Sequence, residues 1–285
     1  MKLVHGGDTV GYRERYGHDA LDFSANVSPL GVPEAVACAI GEAAFQADQY
    51  PDPLCRALTA ALSQTEAVPK AWILCGNGAA DLIFRLALAE KPKHALVLAP
   101  TFAEYAAALE TVDCEIHRHM LREENDFALT GDVLNAIEPP IDRVFLCQPN
   151  NPTGQAADRT LMRRILAKCE AVGARLAVDE CFLDFLPDGE AWTMKPELAA
   201  HPGLFILKAF TKLYGMAGVR LGYGLCADED LLARMRRAGQ PWAVSSLAQT
   251  AGLAALGQTE YVAQVRTLIE TERPYLLEGL RALGL

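Results

Sequence analysis

Short apolar runs recur along the chain and predict β-strands. Most of these runs are continuous, which is typical of strands buried on both faces, whereas strands with one exposed face alternate apolar and polar positions. The predicted strands are residues 72–75, 95–99, 114–117, 143–147, 175–178, 204–207 and 221–226. Strands of this kind favour a parallel sheet that is covered by helices.

Segments with helical periodicity lie between the predicted strands. Residues 79–89 carry an apolar stripe, and residues 159–172 carry apolar side chains at helical spacing until Gly173, a residue type that often ends helices. Pro33 lies near the start of a third predicted helix, 32–47, where its lack of an N–H group costs nothing. This alternation indicates a three-layer α/β fold, in which helices cover both faces of a mostly parallel, seven-stranded sheet.

Beyond residue 227 the pattern becomes entirely helical. Helices are predicted at 229–238, 243–256 and 260–283, and Pro274 is expected to kink the last of them. We expect the chain to divide into an N-terminal arm and helix at 1–48, a large domain at 49–257, and the start of a linker helix at 258–285.

The composition places the 285-residue chain among ordinary globular proteins, with 51% hydrophobic and 22% charged residues. Its net charge of −10 argues against nucleic-acid binding, which requires an excess of lysine and arginine. No apolar run reaches the roughly 18 residues of a membrane span, and the N-terminus lacks the apolar segment of a secretory signal. We therefore expect a cytoplasmic protein without nucleic-acid or membrane partners.

The cysteines and histidines give little indication of a metal site. The eight cysteines are at least 12 residues apart, so the chain has no CxxC pair. This spacing argues against a zinc knuckle and favours free thiols in a reducing compartment. His117 and His119 alternate as they would on one strand face, but this is weak support for metal binding, and we expect no metal.

Two of the loops that follow predicted strands suggest binding of a phosphate and of a polar group. In loop 76–81, Gly76 and Gly78 precede a helix whose free N–H groups would suit a phosphate, although many strand-to-helix turns use glycine only to turn. Loop 148–154, Gln-Pro-Asn-Asn-Pro-Thr-Gly, would hold an asparagine amide at a fixed angle or would simply form a turn. Ligands of open α/β sheets bind at the carboxyl ends of strands, so such loops can share one site.

Two further loops carry charged groups. Asp179 ends an apolar strand, where a carboxylate is costly to bury without a cationic partner, or else it is an exposed acid. Lys212 lies among small and aromatic residues in segment 207–222. Burial there would favour its nucleophilic neutral form, and the alternative is an ordinary surface lysine. Arg220, eight residues later, could bind a phosphate through its forked guanidinium.

The four loops together, in this order, resemble those of fold-type I pyridoxal-phosphate enzymes. The resemblance is to the aspartate-aminotransferase-like superfamily and its histidinol-phosphate aminotransferase branch, and it covers essentially the whole chain. It implies that Lys212 forms the Schiff base with pyridoxal 5'-phosphate and moves protons at the substrate α-carbon. It implies that Asp179 pairs with the pyridinium nitrogen and that Asn151 donates to the phenolic oxygen and faces the substrate.

The same resemblance implies further cofactor contacts. The phosphate group would be held by Gly78, Ala79, Ala80, Thr211 and Arg220. Tyr105 would stack on the cofactor ring. Tyr50, in the sequence Tyr-Pro-Asp-Pro, matches a tyrosine that reaches the phosphate of the neighbouring subunit, which would make the protein a homodimer.

Three features resemble the L-threonine-O-3-phosphate decarboxylases of cobalamin biosynthesis. The first is a His-Gly-Gly start followed by segment 21–31, in which His5 and Gly6 would bind a substrate phosphate and Asn26 would face the substrate. The second is Phe182, three residues after Asp179, where aminotransferases of this branch usually have tyrosine. The third is segment 240–249.

These features favour a decarboxylase of L-threonine O-3-phosphate. Two alternatives remain: an aminotransferase for histidinol phosphate or aromatic amino acids, and a cofactor-binding protein with impaired catalysis. The second alternative rests on the expectation that the small C-terminal domain, which carries the arginine for the substrate carboxylate in the family, is missing.

Overall fold

A single mixed sheet of seven strands forms the centre of the molecule. The structure is a computed structural model, and it describes residues 7–284. The strands are β1 (Ile73–Gly76), β2 (His94–Ala99), β3 (Glu115–Met120), β4 (Arg143–Cys147), β5 (Arg175–Asp179), β6 (Leu204–Ala209) and β7 (Gly222–Leu225). Their order is β1-β7-β6-β5-β4-β2-β3, and β7 alone runs antiparallel to its neighbours. The predicted fold class is therefore confirmed.

Helices cover both faces of the sheet. They are α1 (Thr9–Tyr16), α2 (Glu34–Ala44), α3 (Arg56–Glu66), α4 (Gly78–Glu90), α5 (Glu104–Glu110), α6 (Arg159–Val172), α7 (Gly189–Trp192), α8 (Glu229–Ala238), α9 (Ser246–Leu256) and α10 (Thr259–Ala282). None of the helices within residues 7–284 is long and apolar enough to cross a membrane.

Alternate side chains of each central strand enter two separate cores. Leu96 and Leu98 of β2 pack in the core with α2, α3, α6 and α9, whereas Val97 packs on the other face with α4, α5 and α8. This division explains why the strands read as continuous apolar runs: both sets of side chains are removed from water.

Several helix boundaries follow directly from capping residues. Helix α6 has the predicted bounds because the Asp158 side chain accepts a hydrogen bond from Leu161 N and Gly173 takes a left-handed conformation. Helix α9 begins at Ser246, three residues later than predicted, because the side chain of Ser245 accepts a hydrogen bond from Ala248 N at its start. Pro274 lies inside α10.

The segment before α2 is attached to the loop that carries Lys212. Ser28 N donates a hydrogen bond of 2.9 Å to the carbonyl oxygen of Lys212. The Ser28 hydroxyl is 2.7 Å from the hydroxyl of Tyr261 in α10, and that tyrosine donates to Gly31 O at 2.6 Å. The N-terminal segment thus links the Lys212 loop to the last helix.

Candidate active site

A cavity of about 120 Å³ lies at the carboxyl ends of the central strands. It brings together residues from all four of the loops that the sequence singled out. Its lining consists of Ala79, Ala80, Phe102, Cys147, Asn151, Asp179, Cys181, Phe182, Thr211, Lys212 and Arg220. The sheet topology explains this convergence, because parallel strands place their carboxyl ends at one edge.

Asp179 is the buried acid of the cavity. Its Oδ1 accepts a hydrogen bond of 2.9 Å from Cys181 N, and its Oδ2 accepts one of 2.8 Å from the hydroxyl of Tyr105. Burial raises the pKa of Asp179, while these hydrogen bonds and the charge of Lys212 act in the opposite direction. A carboxylate in this position would gain stability from a cation placed in the cavity.

Lys212 provides an amine within the same cavity. Its Nζ lies 5.6 Å from the centre of the Phe182 ring. The side chain is half-buried, and its backbone is fixed by the hydrogen bond from Ser28. An amine next to an apolar ring and a buried acid is suited to react with a carbonyl group.

The start of helix α4, whose residues Ala79 and Ala80 line the cavity, suits an anion. Helix α4 begins at Gly78, whose φ is +80°, and a Cβ at this position would lie 2.5 Å from Arg220 Nη2. A Cβ at Gly222 would likewise lie 2.7 Å from Ala79 N. The two glycines therefore allow a guanidinium and a second strand to approach the N–H groups that open the helix, an arrangement that favours phosphate.

The two asparagines of loop 148–154 have different surroundings. The Asn150 side chain donates to Pro100 O at 3.1 Å and accepts from the Thr101 hydroxyl at 2.8 Å, so it secures the loop. Asn151 lines the cavity. Of the two side chains, Asn151 is thus the one that is placed to contact a bound molecule.

Tyr105 has a different position from the one expected for a residue stacked on a ligand ring. It is 1% exposed, lies outside the cavity lining, and stacks on Phe145 with ring centroids 5.4 Å apart. Phe102 lines the cavity instead. Phe102 and Tyr105 are three positions apart in the chain. The sequence did not reveal which of the two lines the cavity.

Two cysteines of the lining were not identified from the sequence. Cys147 and Cys181 end or follow the strands that carry the site. Burial raises the pKa of Cys147 to about 12, and burial also raises the pKa of Cys181 well above its ordinary value. Both remain neutral thiols at physiological pH, so neither is an activated nucleophile.

The remaining sequence-predicted residues lie elsewhere. Tyr50 is 81% exposed and packs against Trp242, with ring centroids 4.8 Å apart, beside a separate surface cavity. Asn26 is exposed and is not part of the cavity lining. His5 and Gly6 lie outside the described residues.

The fold is that of a known enzyme class. Residues 18–285 match the family model described as aminotransferase class I and II, and the chain belongs to that family. Its members use pyridoxal phosphate, in agreement with the cofactor that the sequence predicted.

Individual relatives differ in their similarity to the chain. The threonine-phosphate decarboxylase of Salmonella typhimurium is 42% identical over 236 residues, which cover 83% of this chain and 64% of that protein. The histidinol-phosphate aminotransferase of Symbiobacterium thermophilum is 34% identical over 279 residues, covering 96% of the chain and 74% of that protein. The crystal structure of the histidinol-phosphate aminotransferase from Clostridium acetobutylicum superposes with a TM-score of 0.85 at 26% identity, covering 92% of this chain and 77% of that one.

Proposed function

We propose that the chain binds pyridoxal 5'-phosphate in the cavity at the carboxyl ends of the strands. Lys212 would link to the cofactor, Asp179 would face its pyridine nitrogen and Asn151 its phenolic oxygen. Arg220, Thr211 and the N–H groups that open helix α4 would hold its phosphate. The buried acid Asp179 and the anion-binding start of helix α4, which line the same cavity, support this assignment.

The cofactor, when bound, accepts the electron pair released from a bond at the substrate α-carbon. Asp179 would keep a proton on the pyridine nitrogen, because a buried carboxylate favours a positive charge beside it. The hydroxyl of Tyr105 and the Cys181 N–H fix the orientation of that carboxylate. Lys212 Nζ would deliver a proton to the α-carbon, since no other amine lines the cavity among residues 7–284.

We propose that the reaction is decarboxylation of L-threonine O-3-phosphate in cobalamin biosynthesis, in the cytoplasm. The carbon–carboxylate bond breaks, CO2 leaves, and one proton is taken up at the α-carbon to give (R)-1-amino-2-propanol phosphate. The observation that carries this proposal is the 42% identity to a threonine-phosphate decarboxylase. Phe182 in the lining supports it, because it offers no hydroxyl to the phenolic oxygen of the cofactor.

The test is to incubate the cofactor-loaded protein with L-threonine O-3-phosphate and to measure CO2 and the amino alcohol phosphate. The proposal predicts both products in equal amounts, with no requirement for a 2-oxo acid. Consumption of a 2-oxo acid together with histidinol phosphate would instead establish the aminotransferase alternative, which the similarity to histidinol-phosphate aminotransferases favours. Cofactor binding without either reaction would establish the catalytically impaired alternative.

We further propose a homodimer in which Tyr50 contacts the cofactor phosphate of the partner subunit. The ring of Tyr50 is held on the surface by Trp242, so it is available to a second copy of the chain. Sedimentation of the loaded protein should show a dimer, and Tyr50→Phe should weaken cofactor binding without changing the sedimentation. A monomer that retains full cofactor affinity would overturn this assembly.

A further inference from the structure

Three side chains with metal-binding atoms converge at the amino ends of β2 and β3, at the edge of the sheet opposite the cofactor cavity. The strand register pairs His94 with Glu115, and His117 lies two residues further along β3. Because side chains alternate across a strand, all three are on one face of the sheet. Nothing in the proposed function uses them.

The ligand atoms of this cluster lie close together. His94 Nδ1 and His117 Nε2 are 3.3 Å apart, Glu115 Oε2 is 3.5 Å from His94 Nδ1, and Glu115 Oε1 is 3.5 Å from His117 Nε2. One ligand atom from each of the three residues lies within 4.8 Å of the other two. Zinc binds imidazole nitrogen at about 2.0–2.1 Å and carboxylate oxygen at about 2.0–2.2 Å, so two ligands of a tetrahedral ion lie roughly 3.3–3.6 Å apart. The two imidazole nitrogens therefore have the spacing of two corners of a zinc tetrahedron, and a Glu115 oxygen is near enough to supply a third ligand.

We propose that His94, Glu115 and His117 bind a divalent transition-metal ion, with Zn²⁺ as the best match. Two imidazoles and one carboxylate are a ligand set that suits zinc, and three protein ligands leave a fourth position for water. The side chains of His94 and His117 are 29% and 35% exposed, so an ion can enter from solvent.

The backbone beneath the cluster is held in place before any ion arrives. The Asp142 carboxylate accepts hydrogen bonds from Lys93 N at 2.8 Å and from His94 N at 3.3 Å, which fixes the start of β2. A hydrogen bond between the two rings would use one nitrogen as donor and leave the two 3.5 Å contacts with Glu115 weak. A shared cation would instead interact favourably with both imidazoles and with the Glu115 carboxylate.

The direct test is calorimetric titration of the chelator-treated, cofactor-loaded protein with Zn²⁺ alone. We expect one equivalent of ion to bind, and we expect His94→Gln and His117→Gln each to weaken binding at least about tenfold. His119→Gln is the matched control: His119 lies on the same strand, but its Nε2 is 3.6 Å from Asp132 Oδ1 and it is not part of the cluster. Equal affinity for Zn²⁺ in the wild type and the three variants, or no stoichiometric binding to the wild type, would overturn the proposal.

A Co²⁺ titration separates this site from the cysteines. The cluster offers only nitrogen and oxygen, so bound Co²⁺ should show visible absorption without a thiolate charge-transfer band. Such a band, lost in Cys38→Ser, would place the ion at the exposed cysteine and would contradict the proposal. Thermal unfolding gives a third measurement: Zn²⁺ should raise the midpoint of the wild-type protein but not that of His117→Gln, provided that both proteins unfold alike without metal.

Discussion

Tyr105 donates a hydrogen bond of 2.8 Å to Oδ2 of Asp179, from a side chain that is itself 1% exposed. The tyrosine thus supports the acid from the protein interior, while the cavity side of the acid is left for a ligand. Burial raises the pKa of Tyr105 well above its ordinary value, so the phenol keeps its proton and remains a donor. The hydrogen bond from Tyr105 thus favours the charged form of Asp179, together with the Cys181 N–H and the charge of Lys212.

Removing that support should weaken the site. Tyr105→Phe deletes a donor to a charged acceptor, worth about 1.5–3 kcal/mol, so cofactor affinity should fall about 10- to 100-fold. Tyr16→Phe, on the exposed surface, is the control and should leave this affinity unchanged. Fluorescence titration with pyridoxal phosphate measures the affinity, and an unchanged value for Tyr105→Phe would contradict the role given to this contact.

The linkage to Lys212 can be tested by absorbance. Lys212→Ala should abolish the band of lysine-linked pyridoxal phosphate, because the lining then contains no amine among residues 7–284. Lys70→Ala, in which an exposed lysine is removed, should keep the band in full. A band that survives in Lys212→Ala would refute the assignment of the site.

The cradle at the start of α4 should not tolerate a methyl group. Gly78→Ala places a Cβ 2.5 Å from Arg220 Nη2 at a φ of +80°, so we expect about 1–3 kcal/mol of destabilisation and weaker cofactor binding. Gly41→Ala, in helix α2 with open space around it, should instead stabilise the protein by about 0.5–1 kcal/mol. Chemical denaturation of both variants measures whether the free energy of unfolding falls in Gly78→Ala and rises in Gly41→Ala.

Glu180 should make stability depend on pH. Burial raises its pKa to about 7, although Met194 N and the Thr193 hydroxyl donate to its carboxylate. The native state therefore retains the proton after the unfolded chain has lost it, so this contribution to stability is complete at acidic pH and is lost as the pH rises to about 7.

Replacing this carboxyl with a neutral amide removes the effect. Between pH 4.5 and 7.5, Glu180→Gln should gain about 2–3 kcal/mol of unfolding free energy relative to the wild type. Urea unfolding at several pH values measures the difference, with Glu42→Gln on the surface as control. A difference that stays constant across this range would show that Glu180 is ionised in the native protein.

Much of the fold could be predicted from the sequence because six of its seven strands are buried on both faces, the edge strand β3 being the exception. The seven strands and helices α6 and α8 follow from apolar periodicity and capping. Helices α3 and α5 were not predicted. Helix α5 is short and rich in alanine, and helix α3 is stabilised mainly by the packing of Leu58 and Leu62 in the core. Their conformation depends on tertiary packing more than on local pattern.

The site was predictable to the extent that its residues lie in loops with distinctive composition. Asp179, Asn151, Lys212 and Arg220 line one cavity, as the convergence of parallel strands at their carboxyl ends leads one to expect. The contact between Tyr105 and Asp179 joins residues 74 positions apart, and no local pattern indicates it. Local pattern likewise does not indicate that Phe102, and not Tyr105, lines the cavity.

The reversed direction of β7 has a consequence for how the protein acquires its cofactor. Because β6 and β7 are antiparallel neighbours, one connection, residues 210–221, supplies both the amine of Lys212 and the guanidinium of Arg220. The reactive end and the anionic end of the ligand would therefore be engaged by a single piece of chain. Binding of the phosphate and formation of the covalent link should therefore be cooperative. A distortion of this connection near Arg220 should also disturb Lys212, and the reverse should hold.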